Sequence, residues 1–107
     1  MPRYPIRASY SLEGVKGVLS EGGTARREAV RAAIESVGRK LESFSFAFGK
    51  DDVIILCEMP DHASAATVSL AASAAGGLSR ASTTVLLEPE EIDRAAQLHP
   101  SYRPPGG

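Results

Sequence analysis

The chain has 107 residues, enough for one domain with its own core but little surplus stability. Its 12 basic and 13 acidic residues leave a net charge of −1, so no global field draws it to nucleic acid or to an anionic membrane. A single cysteine, Cys57, excludes an internal disulfide and makes a reducing cytoplasm the expected compartment, while no apolar run is long enough to span a bilayer and Met1-Pro2-Arg3-Tyr4-Pro5 lacks the apolar core of a signal peptide.

Tyr4, Ile6, Ala8 and Tyr10 alternate with Pro5, Arg7 and Ser9, which predicts a first strand with Pro5 confined to its beginning. Ser11 then caps a short helix whose Leu12, Val15, Val18 and Leu19 share one face, and Gly22-Gly23 ends it. Thr24 is the expected cap of a second helical piece. There Val30, Ala33, Ile34 and Val37 follow the spacing of a core-facing stripe, and Gly38 is the expected stop.

The most informative stretch comes next. Phe44, Phe46 and Phe48 sit at every second position with small residues between them, which predicts a strand with one bulky face. Gly49-Lys50-Asp51-Asp52 supplies turn chemistry. Val53 to Cys57 is apolar in both phases, as a strand covered on both sides would be. The pair should form an antiparallel hairpin whose second member is central.

Asp61 caps a third helix, Ala63 to Ala75, built almost wholly of Ala and Ser and stopped by Gly76-Gly77. Ala81 to Leu87 reads as a fourth, more polar strand at an edge. Glu88-Pro89-Glu90-Glu91 opens a last short helix reaching about Leu98. Residues 1–98 therefore form one domain, and 99–107, rich in Pro and Gly, an extended tail. The order β-α-β-β-α-β plus a terminal helix is the ferredoxin-like arrangement of the α+β class. Its sheet is antiparallel, with the first and third strands central and both crossover helices on one face.

Such a sheet has a second, uncovered face. Burying one Phe or Ile contributes roughly 1.5–3 kcal/mol, so several left wet are a heavy loss. Sheet-to-sheet pairing of two copies, a dimeric α/β barrel, is the simplest cover, and a homodimer or higher homo-oligomer is expected. The other possibility is that the terminal helix folds across the open face.

The chain resembles the GYD-domain proteins, small bacterial and archaeal proteins largely of unknown function. The resemblance is carried by Ala8-Ser9-Tyr10-Ser11-Leu12-Glu13-Gly14, by Glu21 to Arg27, by Phe46-Ala47-Phe48-Gly49-Lys50-Asp51-Asp52-Val53 and by the ending from Pro89-Glu90-Glu91 to Pro105. Gly49 and Asp52 match the glycine and aspartate of the naming motif, while Asp51 stands where that motif has its tyrosine. The resemblance implies the dimeric α/β-barrel architecture and brings no established activity.

Candidate chemistry is sparse. Asp51 and Asp52 read first as hairpin-tip residues, though adjacent carboxylates can share a proton or bind a cation. Glu58, after the apolar strand, becomes a general acid or base if partly buried, and His62 follows a helix cap. These three, Asp52, Glu58 and His62, are the catalytic candidates. Gly22-Gly23-Thr24-Ala25-Arg26-Arg27 brings backbone N–H groups, a hydroxyl and two guanidiniums to a helix start, good chemistry for a carboxylate or phosphate. It matches no nucleotide or dinucleotide fingerprint, and no metal-ligand spacing occurs, so neither cofactor nor metal is expected. The alternating phenylalanines resemble an RNA-binding sheet only superficially, since basic flanks are missing. The leading expectation is a small homo-oligomer binding an anionic or aromatic molecule between sheet and helices, with Tyr10, Gly22, Gly23, Arg26, Arg27, Phe46 and Asp52 at the site. The alternatives are a cofactor-independent monooxygenase or isomerase of the same architecture, and a structural module without catalysis.

Overall fold

Alternation decides the sheet. The computed structural model describes residues 2–37 and 39–107. It contains strands β1 (Arg3–Tyr10), β2 (Lys40–Phe46), β3 (Val53–Glu58) and β4 (Leu78–Thr83). The helices are α1 (Leu12–Glu21), α2 (Gly23–Glu35), α3 (His62–Ala74) and α4 (Pro89–Ala96). All strand pairs are antiparallel in the order β2-β3-β1-β4, so the fold is ferredoxin-like with β1 and β3 central. Tyr4, Ile6 and Ala8 lie level with Cys57, Ile55 and Val53, and all six are buried beneath the helices. Pro5 and Arg7 lie level with Leu56 and Ile54 on the other face, where Ile54 is 38% exposed.

A β-bulge repairs the phase of β2. Leu41 lies opposite Cys57 and Phe44 opposite Ile55, which strict alternation would put on opposite faces. The register shift between Leu41 and Ser43 absorbs one residue and turns both toward the helices. Phe44 and Phe46 thus belong to the covered face, and Ser43 and Ser45 to the open one. The open face is therefore less greasy than the run of phenylalanines suggests. β2 stops at Phe46, and Phe48, expected in the strand, stands free in the hairpin loop closed by Ala47 N–H donating to Asp52 C=O at 2.8 Å.

Gly22 ends α1 and starts α2 in one residue. At φ +89° its N–H donates to Val18 and its carbonyl accepts from Arg26. This makes Gly22, not Thr24, the cap of the second helix. α2 ends at Glu35, and the expected stop, Gly38, lies outside the described residues. Ser11 and Asp61 cap α1 and α3 as their sequences predict, accepting from Gly14 and Ser64. Most of the apolar stripe of α1 faces outward: Leu12, Val15 and Leu19 are exposed and Val18 is half-buried, while Gly14 packs against Gly77 in the turn before β4 and against the Tyr10 ring. A Cβ on Gly14 would sit 2.0 Å from the Gly77 carbonyl oxygen.

The fourth strand lies earlier than its sequence predicts, at Leu78–Thr83 instead of 81–87. Pro5 supplies the reason. Thr84 N–H donates to Pro5 C=O at 2.9 Å, but Pro5 has no N–H to return the bond. Pairing ends there, and the chain leaves the sheet. From Val85 onward it projects outward through α4, which buries no residue. The radius of gyration is 17.0 Å, against about 13 Å for a compact chain of this length. Among the described residues no helix is long and apolar enough to cross a membrane.

Candidate functional site

The helices do not meet over the middle of the sheet. α2 packs chiefly on β2 and α3 chiefly on β4, each above an edge strand. The side chains facing across the gap are short: Ala29 and Ala33 on α2, Thr67, Ala71 and Ala72 on α3. They leave a cleft of about 830 Å³ above the central strands, floored by Ile6, Ala8, Val53, Ile55 and Phe44. This volume falls in the usual range for small-molecule sites. The walls are mainly apolar; the ionisable groups Tyr10, Glu13 and Arg26 come from the end of β1 and the starts of α1 and α2, and Ser36, Thr67 and Ser69 add hydroxyls elsewhere.

Tyr10 is held there by its backbone. Its N–H donates to the Asp52 carboxylate at 2.9 Å, tying the end of β1 to the hairpin. Its ring lies 6.5 Å from that of Phe46, which meets Phe44 edge-on at 5.2 Å. Burial pushes the Tyr10 phenol above its ordinary pKa, against the opposing pull of Arg26. The phenol stays protonated near neutrality and can donate a hydrogen bond. Among the described residues its hydroxyl has no partner within the protein. Arg26 pairs with Glu21 at 3.6 Å, both side chains remaining more than a third exposed, so the guanidinium retains free donors.

The other expected site residues separate. Gly22 is a hinge between helices, and Gly23 packs against the Phe46 ring, where a Cβ would come within 2.9 Å. Gly23, Thr24 and Arg27 form with Phe44 and Phe46 a second, shallower pocket of about 270 Å³. Arg27 pairs with Glu28 at 3.2 Å. Asp51 and Asp52 do not act as a pair: Asp52 holds Tyr10, while Asp51 pairs with Arg80 at 3.1 Å, which also donates to the Lys50 carbonyl.

Glu58 lies opposite Arg3 and Lys40 at the far end of β3, on the open face. His62 is hydrogen-bonded through Nδ1 to the buried Tyr4 hydroxyl at 2.6 Å, with the rings edge-on. Neither Glu58 nor His62 lines the cleft. Cys57 is buried, and burial pushes its thiol up to about 11, so it is a core group and not a nucleophile. Among the described residues no group of three or more His, Cys, Asp or Glu side chains could hold a metal ion. The α3 wall of the cleft went unread in the sequence, although its signal was present. A helix of Ala, Ser and Thr over a sheet leaves space that larger side chains would fill.

A family model for the GYD domain matches residues 4–96. The chain belongs to the GYD domain family. No relative is found among curated proteins. The fold of this GYD protein is similar to that in the crystal structure of MtbAldR, with a TM-score of 0.50 at 17% identity. The likeness covers 81% of this chain and 52% of the other, so the GYD chain spans about half of that protein's length. At that identity the likeness concerns the fold alone.

Proposed function

We propose that this GYD-domain protein binds a small, mainly apolar or aromatic molecule bearing one anionic group. The molecule's body occupies the cleft between α2 and α3, and its acid meets Arg26 and the Tyr10 hydroxyl. The cleft itself carries the reading: it is ligand-sized and mainly apolar, with hydroxyls at Ser36, Thr67 and Ser69, and its ionisable groups are Tyr10, Glu13 and Arg26. Arginine suits a carboxylate or phosphate because its planar fork can donate two parallel hydrogen bonds.

Native mass spectrometry of freshly purified protein tests for a retained molecule. Anilinonaphthalene sulfonate, an aromatic anion, is a direct probe. It should bind the native protein, bind about tenfold more weakly after Arg26→Ala, and not bind after Ala33→Phe, which fills the cleft. Equal binding by all three proteins sinks the proposal.

Two further readings have some support. Of the groups able to move a proton, Tyr10 and Glu13 line the cleft, so a cofactor-independent oxygenase or isomerase would rest on them instead of on Glu58 or His62. Self-association is supported by the uncovered sheet face, where Ile54 and Leu56 remain partly wet beside Pro5.

A further inference from the structure

Past Thr84 the chain exposes more large apolar side chains than a solvated tail should. Val85, Leu86 and Leu87 follow one another in an extended segment, all about half exposed, and Ile92 and Leu98 are exposed in and after α4. Pro89 at its first turn and Glu91 accepting from the Glu88 N–H make α4 a well-started helix, yet it buries nothing. A well-capped helix with an apolar side and no surface beneath it is an element waiting for a surface.

A surface of matching chemistry exists on the open face of the sheet. Its centre is Pro5, Ile54 and Leu56. Around it stand Arg3, Arg7, Lys40 and Arg80 against Glu42, Asp51 and Glu58. Arg3 and Arg80 already pair with Glu42 and Asp51, whereas Arg7 has no ion-pair partner among the described residues. The arm is acidic: Glu88, Glu90, Glu91 and Asp93 against Arg94. The other exposed apolar stripe, Leu12, Val15 and Leu19, is flanked by Glu13 and Glu21 with Lys16, and offers no such charge match.

We infer that residues 85–98 form an exchange arm, which crosses to a second copy of this chain and lies on that copy's open sheet face, the second copy's arm returning the contact. The inference rests on the self-association reading and names the segment that performs it. Reach is sufficient. Four extended residues and an eight-residue helix span about 13 and 12 Å, and a four-stranded sheet is about 14 Å wide between its outer strands. Because each arm lands on the same surface of its partner, the contact closes as a two-fold dimer. The ligand cleft lies on the helix side and is left open by this arrangement.

Two experiments with the full chain test the arm. In light scattering coupled to size exclusion, the natural chain should run as a dimer at micromolar concentration. The double variant Leu87→Glu, Ile92→Glu should raise the dissociation constant by about 100-fold while keeping its circular dichroism and cleft binding. Oxidation of a mixture of chains carrying Ile54→Cys with chains carrying Ile92→Cys should give a disulfide-linked heterodimer. A dimer that survives the glutamate pair and yields no such heterodimer overturns the arm but leaves sheet-to-sheet association standing. An intrachain disulfide in a chain carrying both cysteines, without the heterodimer, shows the arm folded onto its own sheet and overturns the exchange. A monomer throughout removes both readings together.

Discussion

Two wholly aliphatic runs meet opposite fates in this chain. Val53-Ile54-Ile55-Leu56 lies between two neighbouring strands, with Val53 and Ile55 buried under the helices. Val85-Leu86-Leu87 leaves the sheet and stays largely exposed. Intrinsic preference separates them only in part: the first run is mostly β-branched and the second mostly Leu, and such preference is readily overridden by context. The neighbour decides. β1 and β2 pair with β3 along its whole length, the latter through one bulge, whereas β1 offers Thr84 a proline with no N–H. An apolar run becomes a core strand only where both its backbone and one of its faces are satisfied.

The comparison can be broken most forcefully at Ile55. Ile55→Ala should cost roughly 2–5 kcal/mol in urea unfolding, and Leu86→Ala no more than about 0.5 kcal/mol of protomer stability. Similar losses at both sites would mean the arm is packed within its own protomer. A smaller effect is expected at Asp52, where the first run begins. Asp52→Ala leaves the Tyr10 N–H without its acceptor and should cost about 1–3 kcal/mol, with weakened probe binding because Tyr10 loses its anchor. Pro5→Val sharpens the contrast from the other side. It restores a donor toward Thr84, and should add about 0.5–1.5 kcal/mol while slowing hydrogen exchange at the start of the arm. No change in that exchange would show that something other than Pro5 frees the segment.

The smallest effect is a control on α3, the wall opposite α2. Ser64 N–H donation holds the Asp61 carboxyl below the ordinary aspartate range. Its folded pKa is depressed, so its contribution to stability is full above the ordinary value and lost as pH falls through the folded one. The melting temperature should decline slightly from about pH 4 downward, and less so in Asp61→Asn, which keeps a capping acceptor without titrating there. An equal decline in both proteins would place the acid sensitivity elsewhere.

Much of this was legible in the residues themselves. The alternation of Tyr4, Ile6 and Ala8, the capping oxygens of Ser11 and Asp61, and the stop at Gly22 are local, and local backbone chemistry determined them. The two-phase apolarity of Val53 to Cys57 placed β3 at the centre, and with it the ferredoxin-like order. Tyr10 and Arg26, each with a polar tip near the end of an element, stood out in the sequence and line the cleft. Tertiary structure alone decided the rest. A bulge near Glu42, invisible to a period of two, turned the phenylalanines inward. The width between α2 and α3 set the cleft, and it depends on which edge strand each helix rides. A missing hydrogen on Pro5 ended β4, because a strand's length is fixed by what its neighbour can donate and not by the strand's own side chains.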